Sequence, residues 1–189
     1  MYRRLLATAL ISAALPSAAA QAQPAETATA RVASYGAAVA RVAASDGSVQ
    51  ARAAKFLPIV RNAYDLTGAL ALIAGPGWVT ATSEARAAAS DAFARMSAAR
   101  HADSFHGAGL VFTVDPTSKP RGTDQLVRAK VGDETLIYRL RQSGGQWRIL
   151  DVTARGVSQL AIQRADFAST LSVGGLPALT RKLGELAAR

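Results

Sequence analysis

Gly145-Gln146-Trp147-Arg148-Ile149-Leu150-Asp151-Val152, followed by Gly156-Val157-Ser158, Arg164-Ala165-Asp166-Phe167 and Gly174-Gly175, is the stretch that decides the fold. It reads as one amphipathic strand, a glycine turn and one amphipathic helix. Ser143-Gly144-Gly145 ahead of it has hairpin-turn chemistry, which makes residues 134–142 a partner strand for residues 147–154. In the partner strand Leu136, Tyr138 and Leu140 face one way, and Ile137, Arg139 and Arg141 face the other. Simple alternation places Leu150 and Val152 opposite Trp147 and Ile149. Two earlier strands are expected at residues 110–115 and 126–131, separated by a polar loop over 116–124. Strands with one apolar and one mixed face suit an antiparallel sheet covered by helices on one side.

The residues before the sheet have helical spacing. Val32, Tyr35, Val39 and Val42 recur every three or four positions and form one apolar face. Asp46-Gly47-Ser48 interrupts it. A second helix runs through Phe56, Leu57, Val60 and Tyr64, with Pro58 either in its first turn or kinking it. Asp65 or Thr67 can cap a third helix that Gly75-Pro76-Gly77 stops. Thr82 caps a long alanine-rich helix, with Glu84 in its favourable first turn and an end near Phe105-His106-Gly107. After the sheet, Val157, Leu160, Arg164, Phe167 and Leu171 keep helical spacing up to Gly174-Gly175. Leu176, Leu179, Leu183 and Leu186 form a last stripe. The fold class is α+β: an antiparallel sheet of about four strands wrapped by several helices.

The N-terminus predicts the compartment. Arg3 and Arg4 precede an apolar run, Leu5 to Leu15, broken only by Thr8 and Ser12. Small residues follow Pro16, and a cut after Ala22 satisfies the small-x-small rule of a secretory signal peptide. The run is well short of the roughly 20 residues that span a bilayer. The expected organisation is therefore a signal peptide at 1–22, a single domain at 23–189, and a periplasmic location. With no cysteine in the chain, thiol chemistry, a lipidated cysteine and cysteine metal sites are excluded. Losing Arg3 and Arg4 takes the net charge from +9 to +7. A basic surface suits nucleic acid, anionic membranes or acidic proteins. Export and the scatter of the basic residues argue against nucleic acid.

Little in the chain suggests chemistry. His101 and His106 are five apart, where metal pairs on a helix prefer three or four, and the reading is a surface pair. Ser104 lacks an oriented base. No glycine-rich turn opens a phosphate loop. Asp151, inside an apolar strand, reads as a hydrogen-bonded or arginine-paired carboxylate. No cofactor, metal or catalytic residue is expected. The rival reading is a ketosteroid-isomerase-like enzyme using Asp151 and Tyr138, since that chemistry needs a carboxylate base and a hydroxyl donor. A third is a binding subunit of a periplasmic complex without a lipid of its own, which a cavity too small for acyl chains would favour.

The ordered motifs carry a resemblance. Phe56-Leu57-Pro58, Tyr64-Asp65-Leu66, Gly77-Trp78-Val79-Thr80-Ala81-Thr82, Ala92-Phe93, Tyr138-Arg139-Leu140-Arg141 and the opening stretch, taken together over roughly Arg52 to Ala187, resemble the MlaC family of periplasmic phospholipid carriers. These are also called toluene-tolerance or ABC-transporter auxiliary proteins. The chain departs from the family at His101, where a tyrosine is common, and in the alanine-rich helix of residues 85–99.

That resemblance implies an apolar cavity between sheet and helices that holds phospholipid acyl chains. It also implies a shuttle between an outer-membrane lipoprotein complex and an inner-membrane ABC lipid transporter. A diverged, hopanoid-associated branch is the alternative. The expected lipid-binding residues are Leu136, Tyr138, Leu140, Ile149, Val157 and Leu160 on the sheet side, with Phe56, Val60 and Leu70 on the helical side. Arg139 and Arg141, flanking the apolar face of their strand, are expected to dock partners.

Overall fold

The structure, a computed structural model, describes residues 26–188. The signal peptide expected at 1–22 lies outside the described residues. The elements are α1 (Ala28–Ala43), α2 (Val49–Ala63), α3 (Leu66–Ala74), α4 (Pro76–Thr80), α5 (Ser83–Ser104), β1 (Phe112–Arg121), β2 (Asp124–Val131), β3 (Glu134–Ser143), β4 (Gln146–Ala154), β5 (Val157–Ser158) and α6 (Gln159–Ala187). Five of the six helices start the same way. The side chains of Thr27, Ser48, Asp65, Thr82 and Ser158 each accept from the backbone N–H three residues on. Each such bond satisfies one orphan donor and is worth about 1 kcal/mol. The short α4 instead opens with Pro76 after Gly75, where the missing proline N–H costs nothing. Pro58 lies within a continuous α2, not in its first turn.

The strands form one antiparallel meander in the order β1-β2-β3-β4-β5. Two irregularities depart from simple alternation. Asp115, Pro116 and Thr117 stand opposite Arg128 alone, between the pairs Val114↔Ala129 and Ser118↔Val127. Pro116 lacks the N–H a regular ladder needs, so the strand bulges there and then continues. The segment expected as a loop over 116–124 is therefore mostly β1, and the turn shrinks to Gly122-Thr123. In β4, Leu150 is the extra residue between Leu140↔Ile149 and Arg139↔Asp151. This bulge shifts the alternation by one. Ile149 pairs with Leu140 and Val152 with Tyr138, so Ile149 and Val152 share a face instead of opposing one another.

The interior is two packed clusters, not one. The first joins α1 and α2 to the sheet through Val32, Val39, Phe56, Val60, Tyr138, Leu140 and Ile149, all with at most 1% exposure. The second joins α3, α5 and α6 through Leu70, Ala89, Met96, Leu179 and Leu183, with Trp78, Phe93, Leu150 and Phe167 around them. Leu150 reaches the second cluster because the bulge turns it out of the first. Inside α6 the backbone breaks at Gly174 and Gly175, with Gly175 at φ 58 and ψ −152. Only glycine adopts that conformation cheaply. The last stripe, Leu176, Leu179 and Leu183, is thereby folded back into the second core.

Candidate functional site

Where the two clusters meet they do not close on each other. A cavity of about 530 Å³ lies at the seam, bounded by α5, α6, the α2–α3 junction and the inner ends of β2, β3 and β4. Its first-core wall includes Leu136, Tyr138 and Val152, and its second-core wall Leu66, Ala69, Phe93, Leu150 and Leu160. Phe93, Ser97 and His101 on α5 and Phe105 just past its end follow at intervals of four and line the cavity. The rim is polar: Arg100, Ser104, Glu134 and Gln159 line it and are exposed. Glu134 is ion-paired with Arg155; Arg100 has no ion pair among the described residues.

The α2–α3 junction is held by the sheet. The Asp65 N–H donates to the Ile149 carbonyl at 2.9 Å, and Tyr64 forms a bridge to Ile149. This presents the Tyr64 ring to the cavity. There it meets Tyr35, His101 and, through Tyr35, Tyr138, in mostly edge-to-face contacts with centroids 5.6 to 6.1 Å apart. Such pairs add about 0.5–1.5 kcal/mol each beyond burial.

The hydrogen bonds in this cluster have a fixed direction. The Ser97 carbonyl, 2.7 Å from His101 Nδ1, can only accept, so Nδ1 carries the proton. Burial lowers the imidazole to about 4, which leaves it neutral and makes Nε2 an acceptor. The Tyr35 hydroxyl, 2.7 Å away, therefore donates to Nε2. The Tyr64 hydroxyl, 3.1 Å from that of Tyr35, must donate in turn. Burial pushes the Tyr64 phenol up to about 12. Burial likewise raises Tyr35 and Tyr138 well above the ordinary phenol range.

The expected lipid-binding residues divide. Leu136, Tyr138 and Leu160 line the cavity. Phe56, Val60, Leu140 and Ile149 are fully buried in the first core, and Leu70 in the second. Val157 lies on β5, half exposed. Arg139 and Arg141 converge on the buried carboxylate of Asp124, with Arg139 Nε at 2.5 Å and Arg141 Nε at 2.8 Å. The hydrogen bond from Arg141, helped by Arg139, holds Asp124 below the usual carboxylate range. Asp151 accepts from Ser158 Oγ at 2.6 Å and from the Leu160 N–H at 2.9 Å. It thus helps cap α6 and fixes Leu160 at the cavity wall. His101 is not a surface residue: it is directed into the aromatic cluster, and only His106 is exposed. Its sequence signal was the four-residue interval through Phe93, Ser97 and Phe105, which places it on the inner face of α5. Tyr35 and Tyr64 had only the general signal of an apolar helical stripe.

These features define an α+β protein with a cavity between its helices and an antiparallel sheet. The chain belongs to the MlaC protein family, whose family model matches residues 35–185. The fold is also that of a phospholipid-binding protein from Ralstonia solanacearum, solved in complex with a phospholipid. The two share a TM-score of 0.65 and 24% identity, over 85% of this chain and 97% of that one. No curated protein matches the chain. Membership of this family supports a binding or carrier protein rather than an enzyme.

Proposed function

We propose that this protein is a periplasmic lipid carrier that holds phospholipid in the cavity between its two cores. The observation that carries the reading is the seam itself: apolar side chains on both walls and a polar rim. The Ralstonia solanacearum protein of the same fold was solved with a phospholipid bound, which supports the same ligand class here. Taking a methylene as about the size of a liquid water, roughly 30 Å³, the cavity's 530 Å³ accepts about eighteen such units. That is the size of one acyl chain. Each methylene gains roughly 0.8 kcal/mol on leaving water, so carriage needs no covalent step.

In this reading the signal peptide is cut after Ala22, and the protein shuttles lipid between an outer-membrane lipoprotein complex and an inner-membrane ABC transporter. A net charge of +7 would attract acidic protein faces or anionic headgroups weakly and with strong salt dependence. Arg139 and Arg141 are partly exposed beside Asp124 and can contribute to docking while also holding the β1–β2 hairpin. Photo-crosslinkers placed at Leu136 and Leu160 test the site. They should capture lipid in expressing cells, and one at exposed Gln142 should not. Equal labelling at all three positions would contradict the cavity assignment.

A further inference from the structure

Besides its tyrosines, the cavity lining carries the ionisable side chains Asp65, Arg100, His101, Glu134 and Asp151. All but Arg100 are engaged within the protein. Asp65 caps α3, accepting from the Gly68 N–H at 3.0 Å. Asp151 accepts from Ser158 Oγ and the Leu160 N–H. Glu134 is paired with Arg155. His101 is neutral and uses both ring nitrogens. Arg100 makes no ion pair among the described residues, not even with Asp103 on the next turn of α5. The remaining polar lining groups, Ser97, Ser104, Gln159 and Gln163, are neutral and can donate or accept. They do not select a charge. Arg100, Ser104, Glu134 and Gln159 are the exposed members of this polar lining, so they mark the mouth.

A guanidinium is permanently charged and offers five N–H donors and no acceptor. A lipid whose chain lies between the apolar walls brings its head to the polar mouth. An anionic head there meets the one cation of the lining, whose donor fork matches the oxygens of a phosphate or a carboxylate. We propose that Arg100 is the head-group residue of the carrier: it receives the anionic phosphate or carboxylate of the bound lipid and so selects anionic over uncharged lipids. The attraction does not depend on an aimed lone pair, because a charge acts across the mouth within the screening length of about 10 Å at 0.1 M salt. This rests on the carrier reading and deepens it. The apolar walls set the chain, and Arg100 sets the sign of the head.

The test is displacement of a pyrene-labelled monoacylglycerol from the purified protein by competitors that share one chain. These are myristoyl lysophosphatidic acid, myristic acid and monomyristoylglycerol. At low salt the wild type should bind at least one of the anions roughly fivefold more tightly than the glyceride, as expected of an exposed ion pair. The ratio should shrink at high salt. The anion that shows the preference tells phosphate from carboxylate. Arg100→Gln should bring the ratio close to one. Equal affinity in the wild type, or a preference for the glyceride, overturns the role of Arg100 and leaves the carrier reading standing. So does a preference indifferent to salt or unchanged in Arg100→Gln. No binding of the probe or of any competitor overturns the carrier reading as well. The wild-type comparison across salt needs no variant, so poor folding of Arg100→Gln does not remove the test.

Discussion

His101 concentrates the physics of the site in one residue. Its ring is packed against Phe56, Tyr35, Tyr64 and Phe105, and both nitrogens are used. Protonation would place a charge among aromatic rings and force Tyr35 to give up its bond to Nε2. The folded protein therefore resists the proton down to about pH 4, whereas the ordinary value is 6.5. A depressed folded value means that the unfolded chain binds more protons between these limits. Stability is then full above pH 6.5 and falls as the pH drops toward 4. From pH 7 to pH 4.5 this one group should cost about 2 to 3 kcal/mol. Urea unfolding of the wild type and His101→Gln at both pH values measures it. The variant should lose less stability on acidification by that amount, and parallel losses would show that His101 is not the group responsible.

At the scale of elements, close approaches and bulges place the cavity walls. Gly36 on α1 lies against Phe112 at the start of β1: an added Cβ would sit 2.5 Å from Phe112 Cγ and 2.7 Å from its Cβ. The Phe112 Cβ cannot move without its backbone, so Gly36→Ala should lower stability by about 1–3 kcal/mol. Gly184→Ala in α6, where an added Cβ meets nothing within 4 Å, should be neutral or gain up to about 1 kcal/mol. Denaturant midpoints of the two variants compare them, and equal effects would contradict the packing of α1 on β1. Much of this level was legible in the sequence. The caps at Asp65 and Thr82, the stop at Gly75-Pro76-Gly77, the hairpin at Gly144-Gly145 and the break at Gly174-Gly175 all follow from local residue chemistry. The bulges at Pro116 and Leu150 were not, because a bulge is defined by the partner strand and leaves the residue pattern of its own strand looking regular. The same limit affects the site. Leu136, Tyr138 and Leu160 were expected at the cavity and line it. Phe56, Val60, Leu140 and Ile149 have the same apolar character but close the first core, and periodicity cannot separate a filled interior from a hollow one.

At the scale of the whole molecule, the division into two cores is what makes a cavity affordable. The first core packs α1 and α2 on the sheet, and the second packs α3, α5 and α6 around Leu150 and Phe167. Each buries its own apolar surface, so the seam between them can stay open without unmaking either. Among the described residues no helix is long and apolar enough to cross a membrane, and no group of His, Asp or Glu residues is placed to hold a metal. The seam between the cores is proposed to carry lipid. Native mass spectrometry of the protein gently purified from the periplasm of expressing cells, with organic extraction and analysis of what it holds, tests this most directly. About one lipid per protein is expected, released on denaturation. Protein that is folded, matches the bare chain mass and yields neither glycerophospholipid nor any other lipid would contradict it.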